Sequence, residues 1–146
     1  MEFENVSEEV KREARRFAAA FGVEKWERKE ESELHVLLVS RAGSHKVGCS
    51  ICHTTGHIEE IGVVKDDLIA LLFVDRWDGR QEIVEFDRVL PDDYDFMVRG
   101  LHCLGYKDEE VLSQLPPLTA HERMELRLSM PREFWPQKWL DEEAAN

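Results

Sequence analysis

Residues 34–52, LHVLLVSRAGSHKVGCSIC, decide the fold. The apolar run at residues 34–39 ends in a turn-like stretch, and Val47, Cys49 and Ile51 then alternate with small or polar residues. A period of two places every second side chain on the same face of a strand. We therefore predict a β-hairpin in which the second strand is half-buried and Cys49 lies on the apolar face.

Two later stretches complete the predicted antiparallel sheet. Residues 68–74, LIALLFV, are apolar at every position, which is typical of a central strand covered on both faces. The Asp78-Gly79 pair that follows is a strong hairpin signal, and residues 82–86 alternate again. We predict about four strands. Residues 58–64 are read as a short strand or as irregular, and residues 23–33 as an edge strand or a continuation of the first helix.

Helices flank this sheet along the chain. Ser7 is a good N-cap, and the apolar residues after it recur at helical spacing, which predicts a helix over residues 7–21. Shorter helices are predicted to begin near Pro91, Asp108 and Thr119. Because strands and helices occupy separate parts of the chain, the predicted fold class is α+β: an N-terminal helix, an antiparallel sheet of about four strands, and C-terminal short helices.

The chain of 146 residues is expected to form a single compact domain, residues 1–146, because its length suits one domain and no linker divides it. From about residue 131 a tail carries Phe134, Trp135 and Trp139, followed by acidic residues. We expect this aromatic and acidic tail to dock on the domain and complete its core. The alternative is an exposed aromatic anchor for a partner protein.

Charge limits the expected partners. The chain has 31 acidic and 19 basic residues and a net charge of −12. Its basic pairs are bracketed by glutamates, whereas phosphate binding needs clustered Lys and Arg, so we expect no direct nucleic-acid ligand. The longest apolar run is far shorter than the ~20 residues of a membrane helix, and the first residues lack an apolar secretory core. We expect a cytoplasmic protein without a membrane partner.

One segment of the sequence contains a cluster of candidate metal ligands. Residues 45–57, HKVGCSICHTTGH, contain five side chains that can bind a metal: His45, Cys49, Cys52, His53 and His57. Zinc prefers four ligands drawn from thiolate sulfur and imidazole nitrogen, and a Cys-x-x-Cys turn lets two sulfurs converge on one ion. We therefore predict Cys49, Cys52 and His57 as zinc ligands.

The spacing of these three residues resembles the first three ligands of the retroviral-type zinc knuckle. In that family a fourth ligand, a cysteine, follows at a position where this chain has Gly62. Cys103, in a predicted helix that could pack across the sheet, is the best chemical match for a fourth ligand. His45, His53 and His102 are the other candidates.

Residues 45–57 allow two kinds of zinc site and one arrangement without a metal. A closed site would hold a structural zinc, whereas a water in the fourth position would make a small zinc hydrolase with Glu59 or Glu60 as general base. The alternative without a metal is that the cysteines are ordinary buried core residues.

The leading functional hypothesis is a small acidic, non-enzymatic binding or regulatory protein that acts through protein–protein contacts, as an inhibitor or adaptor. Its protein partner would carry a basic surface, because opposite charge speeds encounter. A zinc-binding protein with a structural site at Cys49, Cys52 and His57 is the alternative, and the zinc hydrolase is the third reading. We expect either zinc or no cofactor.

Overall fold

The computed structural model describes residues 6–145 and has the predicted α+β architecture. Residues 6–145 form five helices, six strands and a short 3₁₀ turn. In chain order these are α1 (Glu8–Phe21), β1 (Trp26–Glu31), β2 (His35–Ala42), β3 (His45–Cys52), β4 (Ile58–Lys65), β5 (Leu68–Asp75), β6 (Gln81–Glu85), α2 (Pro91–Leu104), α3 (Asp108–Leu112), α4 (Ala120–Ser129), the 3₁₀ turn (Arg132–Phe134) and α5 (Gln137–Ala144).

Helix α1 forms as its sequence predicts. The Ser7 hydroxyl accepts a hydrogen bond from the Val10 N–H, which satisfies one of the free donors of the first turn. Four apolar residues at helical spacing are buried: Val10, Ala14, Phe17 and Phe21. Gly22 ends the helix in the left-handed conformation. This apolar stripe packs on one face of the sheet, chiefly over β2 and β3.

The sheet is an antiparallel meander in which the strands lie in the order β1-β2-β3-β4-β5-β6. It has six strands, so the predicted count of about four is corrected. Residues 23–33, left open by the sequence, contain the edge strand β1. Residues 58–64 lie in β4, which is joined to β5 by Asp66 and Asp67, both with positive φ. Short acidic residues tolerate that conformation, which fits a two-residue hairpin turn.

One face of the sheet forms the core. Alternate residues of β2 and β3 are fully buried under the helices, among them Val36, Leu38, Val47 and Ile51. Helix α2 packs against α1, helices α3 and α4 pack against α2, and α3 also contacts the edge strand β6.

The C-terminal tail docks on the helical layer, which confirms that expectation. Trp139 is buried and Trp135 is half-buried. The Trp135 indole Nε1 donates to the Met130 carbonyl at 2.8 Å, and the two indole rings meet edge to face with centroids 6.1 Å apart. The tail thereby forms one wall of a groove described below.

Candidate functional site

The two cysteines of the Cys-x-x-Cys sequence do not face one another. Strand β3 continues through Cys52 without a turn, so residues three positions apart point to opposite faces of the sheet. Cys49 is buried in the core between its cross-strand neighbours Leu38 and Ile61, and Cys52 lies on the other face beside His35. Burial raises the pKa of the Cys49 thiol, which disfavours the thiolate that a metal needs.

The other two predicted ligands lie elsewhere. Cys103 is exposed near the end of α2. The ring of His57 lies beside Asp75, and its Nε2 donates to the Asp75 main-chain carbonyl at 3.0 Å. The structure of residues 6–145 therefore does not bring Cys49, Cys52, His57 and Cys103 together. The predicted knuckle-like arrangement requires a bend between the two cysteines, whereas residues 45–52 form one continuous strand.

Within the described residues, one group of three metal-capable side chains does lie close together: His45, Asp92 and Asp93. These groups are already engaged by protein partners. His45 Nε2 lies 2.7 Å from Asp93 Oδ1, Asp93 Oδ2 accepts the Leu90 N–H at 2.7 Å, and Asp92 is paired with Lys65. We assign this cluster a structural role, because it joins the start of β3 to the start of α2.

The candidate general bases of the hydrolase reading, Glu59 and Glu60, are placed apart. Glu60 is exposed on the sheet. Glu59 has both carboxylate oxygens occupied, one by His35 Nε2 at 2.9 Å and the other by the Trp77 indole N–H at 3.1 Å. Trp77 in turn packs on the His57 ring, with centroids 4.5 Å apart.

A second group of polar contacts lies at the end of the sheet beside His57. The buried Asp75 accepts a hydrogen bond from the Tyr106 hydroxyl at 2.8 Å, and Gln81 Nε2 lies 3.4 Å from its other oxygen. Burial, followed by the hydrogen bond to Asp75, raises the pKa of Tyr106 and keeps its phenol neutral and able to donate. These groups line a surface depression of about 580 Å³, but their reactive atoms bind one another.

A more enclosed feature is a groove in the helical layer with a volume of about 470 Å³. Its apolar lining comes from α2, α3, α5 and the connection between α3 and α4: Tyr94, Val98, Leu112, Leu115, Pro117, Leu118, Pro136 and Trp139. Its polar lining includes Glu109, Arg123, Lys138 and Glu142. Concave sites with an apolar floor and a few polar groups are the usual form of a binding site.

The walls of this groove are fixed by hydrogen bonds between elements. The Tyr94 hydroxyl donates to the Pro116 carbonyl at 2.5 Å, which holds the segment after α3 against α2. The Lys138 N–H donates to Glu109 Oε2 at 3.2 Å and links the start of α5 to α3. Arg127 lies over the Trp139 ring at 5.7 Å from its centroid. The groove is therefore built by packing of the described helices.

This groove was not predicted from the sequence. Its signal was the apolar sequence at residues 111–118, VLSQLPPL, which holds more leucine and proline than a short connection needs. The hydrogen bond between Asp75 and Tyr106 has no corresponding sequence pattern, because the two residues are 31 positions apart and belong to different parts of the fold.

Comparisons of this chain with protein families, with curated proteins and with solved structures found no match. Among the described residues, no helix has the length and apolar character required to cross a membrane.

Proposed function

We propose that this protein is a non-enzymatic binding protein whose helical groove holds a basic, amphipathic segment of a partner protein. The observation that carries the proposal is the position of an apolar-floored groove within the acidic half of the chain. The proposal retains the hypothesis of a regulatory protein with a basic partner and assigns the binding of that partner to the groove.

The groove suits an amphipathic segment. Leu112, Leu115 and Trp139 are largely buried at its floor, while Leu118 and Lys138 lie nearer its edge. An amphipathic helix binds such a surface by placing apolar side chains at positions i, i+3 or i+4, and i+7 into the groove. The polar face of the bound segment remains turned toward the solvent and the rim.

The surrounding charge selects a basic segment. Residues 75–146 contain 17 acidic and 9 basic residues, which account for −8 of the net charge of −12. The rim itself is mixed, since Arg123 and Lys138 lie beside Glu109 and Glu142. The preference therefore comes from the acidic half as a whole, which attracts a basic segment and repels an acidic one.

The hydrogen bonds already made by the titratable side chains favour a binding function over catalysis. The carboxylates best placed for chemistry, Glu59, Asp75 and Asp93, are hydrogen-bonded to protein side chains. The groove contributes shape, apolar surface and charge, which are the requirements of recognition.

The test uses two labelled peptides of about 18 residues, which is about five helical turns. Both have the same leucine face, and the polar face carries lysine in one and glutamate in the other. Fluorescence anisotropy should show binding of the lysine peptide, weaker at about 300 mM than at about 20 mM NaCl, and little binding of the glutamate peptide.

A matched pair of variants locates the site. Ser113 is exposed and lines the groove, so Ser113→Arg should obstruct it and weaken lysine-peptide binding by about tenfold or more, about 1.4 kcal/mol. Ser129→Arg makes the same charge change on α4, at a residue that does not line the groove, and should have little effect. Equal weakening by both variants, or equal binding of both peptides, would contradict the proposal.

A further inference from the structure

Arg123 is a half-buried arginine in the lining of the groove. Within residues 6–145 three arginines are half-buried: Arg99, Arg123 and Arg127. Arg99 pairs with the Asp95 carboxylate, and Arg127 pairs with the Glu142 carboxylate. Arg123 lines the groove but forms no ion pair with a described residue. Because a partly desolvated guanidinium is stabilised by a carboxylate, Arg123 is the half-buried arginine of this part of the chain that can take one from a ligand.

The two carboxylates in the lining of the groove are engaged by other groups. Glu109 Oε2 accepts the Lys138 main-chain N–H at 3.2 Å. Glu142 is the partner of Arg127, which also lies over the ring of Trp139. Neither carboxylate lies within ion-pair distance of a groove cation, so the guanidinium of the groove keeps its positive charge unpaired.

Lys138 adds a second cation to the groove. Its side chain is exposed, lines the groove and forms no ion pair with a described residue. The unpaired charges in the groove are therefore positive, although residues 75–146 as a whole carry −8. The acidic half attracts a basic segment over a long range, whereas a groove cation acts at contact distance. One ligand can satisfy both if it is basic overall and carries a carboxylate.

We propose that the basic segment held by the groove carries one carboxylate and that Arg123 binds it. This inference rests on the proposed function and names the group of the partner that sets its position. A guanidinium can donate two parallel N–H bonds to a carboxylate, which fixes the direction and register of the bound segment. The carboxylate is either the C-terminal carboxyl of the segment or the side chain of an acidic residue within it.

The sign of the effect separates this role from simple charge repulsion. If Arg123 only placed positive charge beside a basic segment, its removal would strengthen binding. A carboxylate added to the segment would likewise weaken binding if the acidic half of the chain acted alone. A carboxylate bound by Arg123 predicts the opposite result for both changes.

The test measures fluorescence anisotropy with three forms of the lysine-faced peptide, each labelled at its N-terminus. One form has a free C-terminal carboxylate and one has a C-terminal amide. The third is a set of amides in which one lysine is replaced by glutamate, one helical turn at a time. Wild-type protein should bind a carboxylate form about tenfold more tightly than the plain amide. A gain in the free acid identifies the terminal carboxyl as the source, and a gain in one glutamate form identifies a side chain.

Arg123→Gln should remove this gain, so that the carboxylate forms bind no more tightly than the plain amide. Arg123→Lys keeps the charge without the planar fork and should keep only part of the gain. Arg88→Gln is the matched control, because Arg88 is exposed, does not line the groove and belongs to the same acidic half. This control makes the same change in net charge and should keep the full gain. Equal urea midpoints would show that the variants are folded.

Two outcomes would overturn this inference alone: equal binding of all peptide forms by the wild-type protein, or a gain that survives in Arg123→Gln. Either would leave the groove with its preference for a basic segment. Failure of every lysine-faced peptide to bind would overturn this inference together with the proposed function, so the two failures are distinguishable.

Discussion

Asp93 is a buried carboxylate with both oxygens engaged, one with His45 and the other with the Leu90 N–H. Burial alone would raise the pKa of Asp93. The hydrogen bonds from His45 and Leu90 and the positive charge of Lys65 outweigh this effect and hold the pKa of the carboxyl below its usual value. The ionised form therefore stabilises the contact between β3 and α2.

Replacing this carboxylate should cost stability in a pH-dependent way. At pH 7, Asp93→Asn is expected to lower the free energy of unfolding by about 1–3 kcal/mol, since a charged, buried hydrogen-bond acceptor is lost. A depressed pKa in the folded state stabilises the protein above the unfolded value of about 3.9, and this contribution is lost as the pH falls through the folded pKa. The difference between variant and wild type should therefore narrow below about pH 4.

Urea unfolding at pH 7 and at a series of lower pH values measures this difference. Asp92→Asn is the matched control, because Asp92 is exposed and its pair with Lys65 lies at the surface, where such pairs contribute little. A difference between Asp93→Asn and wild type that stays constant down to about pH 3 would show that the ionised form gives no stability.

The positions of Cys49 and Cys52 show what residue patterns could and could not predict. The alternation of Val47, Cys49 and Ile51 correctly placed Cys49 on the apolar face. Continued by one residue, the same alternation puts Cys52 on the opposite face, whereas the ligand hypothesis required a bend between them. The contact between Asp75 and Tyr106 was beyond sequence reasoning, because it depends on how distant elements meet.

At the scale of elements, the contact between α1 and α2 depends on a glycine in the middle of a helix. Gly100 lies on α2 directly against the Phe21 ring of α1, and a Cβ at this position would overlap the ring. Phe96, one turn earlier, stacks near the same ring with centroids 5.3 Å apart. The absence of a side chain at Gly100 is what allows the two helices to approach.

Gly100→Ala should therefore destabilise the protein, although alanine is the better helix former by about 1 kcal/mol. Overpacking of a core costs about 1–3 kcal/mol, so a net loss of about 1 kcal/mol is expected in urea unfolding. In a Phe21→Leu background the overlap is relieved, and Gly100→Ala should be neutral or stabilising there. Stabilisation by Gly100→Ala in the wild-type background would contradict this account of the contact.

Elements with strong local signals could be predicted, whereas those without them could not. Helix α1 has an N-cap residue, an apolar stripe and a glycine that ends it, and a turn separates the apolar sequences of β2 and β3. Strand β1, WERKEE, lacks alternation because it is an edge strand in which only Trp26 is buried. Strand β4 was uncertain because its turn into β5 uses Asp66 and Asp67 rather than glycine.

At the scale of the whole molecule, the charge is unevenly distributed. The central strands are nearly neutral, while residues 75–146 are strongly acidic and contain the groove. The acidic half of the chain therefore contains the surface that we propose for a basic partner segment.

The groove could not be predicted from the sequence because its lining is assembled from distant positions. Tyr94 and Val98 come from α2, Leu115 and Leu118 from the segment after α3, and Trp139 from α5. Each has a local explanation as a core residue. The hydrogen bond between Lys138 of α5 and Glu109 of α3 helps to hold these distant residues around one groove.

Amide hydrogen exchange with and without the lysine-faced peptide tests the groove most directly, because it locates the bound segment on the protein. Peptide addition should slow exchange in residues 94–98, 109–118 and 136–142 and leave exchange in the central strands β2 to β5 unchanged. Protection centred on the sheet, or binding without local protection in the helical layer, would contradict it.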